Sequence, residues 1–204
     1  YRGEFTDFFG QGELQLDGGV STSLYGVNFY GLGNETLNEE TTLGLDYNRV
    51  RQQHIHFAPK LLQRPNPATQ YTIGPRYSTV QTARTEGRFL SDSSDDLAET
   101  GIFSNYTYLG LEADFSFDNR DSKAMPTRGI RLELAGSYQL SLAGPGSSFP
   151  RVSGALTINQ RLDRKGNLFL ANRVGYSEAF TDDLAYFQAA TLGGVGTNSN
   201  FRGF

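Results

Sequence analysis

The chain has 204 residues, 18 basic against 22 acidic side chains for a formal charge of −4, and no cysteine. That balance excludes the basic surface a nucleic-acid binder needs, and the missing thiols exclude a disulfide framework, a thiolate nucleophile and a cysteine zinc site. No run of about 18 apolar residues occurs, so a membrane-spanning helix is excluded, whereas a transmembrane barrel, which hides its apolar residues at alternate positions, fits a mean hydropathy of −0.45. Glycine (24), tyrosine (11) and phenylalanine (15) are plentiful, which favours strands over helices.

Taken in chain order, the pattern predicts strands over 5–17, 20–30, 47–61 and 70–82. In the last of these Tyr71, Ile73 and Tyr77 stand opposite Thr72, Gly74, Arg76 and Ser78. The segment 105–118 is the clearest, with Leu109, Leu111, Ala113, Phe115 and Phe117 alternating with Tyr108, Gly110, Glu112, Asp114, Ser116 and Asp118. Strict period-two spacing means a strand with two unlike faces. The same alternation predicts strands over 129–142 (Ile130, Leu132, Leu134), 151–163 (Val152, Leu156, Ile158) and 167–177 (Leu168, Leu170, Val174, Tyr176).

Eight strands of this length exceed the roughly 5–6 residues of a soluble sandwich strand and suit the roughly 9–11 of a tilted membrane-crossing strand. The connections alternate in length: tight at 17–19, long at 31–46, moderate at 62–69 and long at 83–104. They continue with 119–128, 143–150 and a tight 164–166, ending in an open run 178–204. Short turns at one end and long loops at the other are the habit of outer-membrane barrels. The reading is an all-β, antiparallel transmembrane β-barrel, with 1–204 one partial barrel domain and 178–204 an extracellular loop.

No motif for catalysis appears: there is no nucleophile elbow, paired-histidine zinc motif or phosphate-cradling loop. The acidic run Ser91-Asp92-Ser93-Ser94-Asp95-Asp96-Leu97-Ala98-Glu99 lacks the oxygen spacing and turn glycine of a calcium loop and reads as solvated loop. His54 and His56 share a strand face without a third ligand and read as polar residues of a barrel interior. The expectation is no catalytic, cofactor or metal site.

Between two of the clearest strands lies Asp118-Asn119-Arg120-Asp121, followed by Pro126 and Gly129. Asp and Asn at a strand end fold back on the backbone, Pro126 removes a donor, and Gly129 relieves crowding where the next strand begins. The arrangement resembles a recurring segment of the bacterial surface-antigen superfamily, the BamA/TamA-like barrels. Further on, the sequence AYFQAATLGGVGTNSNFRGF is similar to that family's signature: an aromatic approach, the pair Gly193-Gly194, a small-polar spacer, and the tripeptide Arg202-Gly203-Phe204. The two motifs occur in the family's order and spacing over 111–204.

The resemblance implies a sixteen-stranded barrel in the bacterial outer membrane that assembles, inserts or translocates other outer-membrane polypeptides. The eight strands here would be its fourth to eleventh, making this chain an interior piece of a larger protein. It implies that Arg202 pins an inward-folded loop to a carboxylate beyond Phe204, that Gly203 permits close backbone approach and that Phe204 packs on the barrel interior. Phospholipid, lipopolysaccharide, polypeptide clients and other assembly components are the implied partners, with no cofactor. A second resemblance, of Asn28 to Thr36, to barrels carrying phosphoesterase or patatin-like lipase domains implies the alternative of an anchor or conduit for a fused hydrolase.

Overall fold

In a computed structural model the described residues are 2–8, 12–22, 26–31, 40–44, 46–92, 101–164 and 168–188. Their alternating segments form one antiparallel sheet. Its strands are β1 (Arg2–Phe8), β2 (Gly12–Ser21), β3 (Gly26–Asn28), β4 (Arg49–Asn66), β5 (Thr69–Thr82), β6 (Asn105–Asp118), β7 (Gly129–Ala143), β8 (Phe149–Arg161) and β9 (Phe169–Ala179). Neighbours pair in the order β1-β2-β4-β5-β6-β7-β8-β9, with the short β3 on β4. Each long strand thus pairs with its sequence neighbour, the up-and-down order of a barrel wall. Among the described residues β1 and β9 form the two edges and do not pair with each other.

The first half corrects the sequence reading. The expected strand 5–17 is two strands, β1 and β2, joined through 9–11. The tight turn expected at 17–19 lies inside β2, where Gly18 and Gly19 pair with Phe57 and His56 of β4. Gly19 makes room here: a Cβ on it would stand 2.6 Å from Cε1 of His56, whose ring lies over the bare backbone. The expected strand 20–30 dissolves accordingly, leaving Val20 and Ser21 to β2 and only Gly26–Asn28 as β3. The loop expected at 62–69 shrinks to residues 67–68, because the Asn66 side chain accepts the Ala68 N–H (3.0 Å) and closes the turn.

Later boundaries move less. The segment predicted at 151–163 runs from Phe149 to Arg161, and that at 167–177 from Phe169 to Ala179. The connection expected at 143–150 is therefore 144–148, and the last loop begins at 180. The connections between β2 and β4, β5 and β6, and β7 and β8 start from one end, the loop end, as do residues 180–188. Connections 9–11, 67–68, 119–128 and 162–168 share the other, the turn end.

Alternation then sorts side chains by face. Leu109, Leu111, Leu134 and Leu156 are 44%, 55%, 47% and 38% exposed, and Tyr71, Ile73, Tyr77 and Tyr138 lie on the same side. A soluble protein rarely presents so continuous an apolar surface to water, so this outer face calls for an apolar phase. The inner face carries Lys60, Arg76, Glu112, Asp114 and Glu133. Among the described residues, buried apolar side chains gather in two small clusters at the loop end, one around Tyr106, Tyr108, Phe149 and Ala185 and the other around Val50, Leu90 and Ile102, with Ala58, Leu62 and Val80 buried elsewhere on the wall.

Candidate functional site

Three regions hold the polar chemistry of the described chain: the inner wall, the turn at 119–128, and the start of the last loop. On the wall, β4, β5 and β6 bring together residues far apart in sequence. The Lys60 ammonium lies 2.8 Å from both Glu112 and Asp114, Arg76 stands 3.6 Å from Glu112, and Thr72 donates to Asp114 at 2.8 Å. Farther along, Glu133 is held by Arg131 (2.6 Å) and Arg173 (3.8 Å). Near the β1 edge Arg64 contacts Glu13 and Glu4, and His56 stands 3.6 Å from Asp17. The strands approach closely enough for this at Gly74, where a Cβ would lie 2.1 Å from the Pro59 carbonyl oxygen and drive β4 and β5 apart.

This ladder of ion pairs was not read from the sequence. Its signal was the inward half of each alternation, above all Glu112 and Asp114 two apart on β6, but the cations belong to strands whose register sequence does not declare. His54 and His56 do share a face, with stacked rings 5.1 Å apart. No group of three or more potential metal ligands occurs among the described residues.

The predicted turn motif forms a closed network at the turn end. Both Nε and Nη2 of Arg120 donate to the Asp118 carboxylate, at 2.8 and 2.7 Å, a bidentate pair. Asp121 accepts the Thr127 hydroxyl (2.6 Å) and the N–H groups of Thr127 (2.9 Å) and Arg128 (3.1 Å). The Thr127 hydroxyl, with these two N–H groups behind it, holds the Asp121 carboxyl down at about 2, and the Asp118 pair raises Arg120. Asn119 accepts the Ile130 N–H through its side chain at 2.7 Å. Pro126 contributes no N–H that would need a partner inside this turn.

Gly129 is required twice. Its φ is +116°, and a Cβ would meet the Arg120 Cα at 2.6 Å and the Asn119 oxygen at 2.9 Å. Arg161 of β8 reaches across to the Thr127 hydroxyl at 2.8 Å, anchoring the turn to the wall.

At the loop end, residues 180–188 leave β9 and fold over the inner face as a strap, ending in a 3-10 turn, Tyr186–Gln188. Ala185 belongs to the Tyr106/Tyr108/Phe149 cluster, with Leu184 and Phe187 packed against it. The Tyr186 ring sits edge-on to Phe29 (5.0 Å), and its hydroxyl meets Thr82 (2.7 Å) and Gln52 (3.3 Å). Burial pushes the Tyr186 hydroxyl up to about 12, despite the two hydrogen bonds that oppose it. The backbone oxygen of Gln188 accepts from Arg151. The last loop therefore starts inward, across the mouth of the wall. The predicted loop residues Gly193, Gly194, Arg202, Gly203 and Phe204 lie outside the described residues, as does the acidic run from 93 to 99.

No curated protein matches this sequence significantly. Among solved structures, BamA from Haemophilus ducreyi lacking POTRA domains 1-3 is similar, with a TM-score of 0.64 at 13% identity. The similarity covers 91% of this chain and 34% of that one, so the chain spans about a third of that structure's length. At this identity the likeness speaks to the fold, and it places the open sheet described above as a stretch of barrel wall. The family model of the Omp85 superfamily domain matches residues 8–204, nearly the whole sequence, and the chain belongs to the Omp85 superfamily.

Proposed function

We propose that this chain is part of a barrel in the bacterial outer membrane that inserts or translocates other outer-membrane polypeptides. The observation that carries the reading is the division of the wall: large apolar side chains on the exposed outer face and a cross-strand ladder of ion pairs on the inner one. A wall so divided suits a lipid exterior and a hydrated lumen. Outer-membrane phospholipid and lipopolysaccharide would cover the outer face, and polypeptide clients and other assembly components would be its protein partners. The work is mechanical, with no chemical step.

In this reading the strap directs the last loop into the lumen. There Arg202 would pin it to a carboxylate through its fixed fork of donors, with Gly203 allowing close approach and Phe204 packing on the interior.

The test is reconstitution of the intact protein in lipid vesicles with an unfolded outer-membrane barrel as client, following protease-resistant insertion of the client with time. Faster insertion than in empty vesicles, lost when Arg202 is changed to Ala, is the expected result. A rate equal to that of empty vesicles would remove the insertase reading, and hydrolase activity of the intact protein towards phosphoesters or lipids would favour the enzyme anchor.

A further inference from the structure

We propose that the inner wall contains a carboxylate-binding pocket centred on Arg151. A cavity of ≈ 400 Å³ lies beneath the strap, roofed by Phe187 and Gln188, with His54, Arg76, Gln139 and Arg151 in its walls. Two cations, Arg76 and Arg151, and two carboxylates, Glu112 and Asp114, line it, but they are not all paired with one another. Glu112 and Asp114 are both taken by Lys60 at 2.8 Å, and Glu112 has Arg76 as well at 3.6 Å. Both carboxylates are thus engaged by Lys60 and Arg76, and Arg151 makes no ion pair among the described residues.

Arg151 is also underused as a donor. Its Nη2 donates to a neutral acceptor, the Gln188 backbone oxygen, its Nε is buried without a hydrogen-bond partner, and its guanidinium lies 5.7 Å from the Phe149 ring centroid. A half-buried guanidinium lacking an anion is costly, because its desolvation is not offset by charge pairing. The register explains why it is held there: Arg151 pairs with Ser137 on one side and Ala179 on the other, and neither neighbour is acidic.

One guanidinium without an ion pair, its planar fork of donors, and neighbouring amide and imidazole groups match a planar monoanion. A carboxylate fits that description, being able to take two parallel N–H bonds from the fork while Gln139 and His54 serve its surroundings. Such a carboxylate could be a small free acid or a group carried on a polypeptide in the lumen. The chemistry is the same, and the probes separate the sources.

The experiment is a binding titration on the intact protein in detergent micelles at neutral pH and low salt. Four probes are used: acetate, N-acetyl-trialanine with a free C-terminal carboxylate, the same peptide as its C-terminal amide, and inorganic phosphate. Saturable binding of acetate or of the peptide acid is expected, with the amide at least about tenfold weaker, the scale of a charge-assisted bidentate contact. Acetate bound as well as the peptide acid points to a free small acid, and preference for the peptide acid points to a polypeptide-borne group; either supports the pocket.

Arg151→Gln should abolish the preference for acid over amide, and Arg151→Lys should keep part of it. Absence of saturable carboxylate binding, equal binding of acid and amide, or preference for phosphate would each overturn the proposal. All three are read on the unaltered protein, so they hold even if a variant fails to fold.

Discussion

The two ends of the wall are held by opposite means. At the turn end, residues 118–130 satisfy their own polar groups through partners mostly two to eleven residues away: Arg120 to Asp118, Thr127 and Arg128 to Asp121, Ile130 to Asn119. At the loop end, the strap is held by contacts across the chain, Tyr186 to Thr82 and Gln52 and Gln188 to Arg151, with apolar packing on Tyr106 and Phe149. The turn is a rigid, sequence-local staple. The strap is a docked segment whose place depends on the wall already being formed.

Substitutions should separate the two ends. The largest effect is expected from Gly129→Ala, because the methyl group meets backbone atoms of Arg120 and Asn119 and the positive φ resists a side chain. A loss of about 2–4 kcal/mol is expected, the scale of backbone strain combined with a steric clash. It should appear as a lower urea midpoint in detergent with strap docking intact in the folded fraction. An unchanged midpoint would mean that the turn is looser than described.

Tyr186→Phe should cost less, about 1–2 kcal/mol, for the hydroxyl lost to Thr82 and Gln52. Its effect should be local: faster protease cleavage after residue 180 with little change in global unfolding. A matching drop in global stability would show that the strap and the wall fold as one unit.

The smallest effects are those of pH, and they run in opposite directions. The Asp121 carboxyl is held down at about 2 from an ordinary 3.8, so its contribution is present above about pH 4 and lost as pH falls through about 2. Exchange of the Thr127 and Arg128 amides should accelerate in that acid window and be fast at every pH in Asp121→Ala, which removes the acceptor. Tyr186 is raised from 10 to about 12, so its contribution is present below pH 10 and lost as pH rises through about 12. Tyr186→Phe should remove one late-titrating group from the tyrosinate absorbance, with strap cleavage rising in the same alkaline window.

The same contrast explains what the sequence could tell. β6 was legible because Leu109 to Phe117 alternates without a break, and the turn because Asp118, Asp121 and Gly129 act on near neighbours. The first hairpin was misread because Gly18-Gly19 has turn chemistry by composition, while the physical role of Gly19, clearing space for the His56 ring, depends on a strand about forty residues away. The ladder of Lys60, Glu112 and Asp114 and the docking of Tyr186 were hidden for the same reason: each depends on register between strands distant in sequence. Family likeness brought in the loop motif around Arg202, which alternation alone would have left as a glycine-rich tail.

The central claim, that one face of this sheet meets lipid and the other a hydrated interior, can be tested most directly by single-cysteine labelling, these 204 residues having no cysteine of their own. Cysteines at Leu109, Leu134 and Leu156 represent the outer face and those at Ser116, Ser137 and Ser153 the inner one. With the intact protein in vesicles, fluorophores at the first set should be quenched by brominated lipid and shielded from water-soluble quencher, and those at the second set should behave in the reverse way. Equal quenching of the two sets by lipid, or stronger lipid quenching of the inner set, would contradict the account.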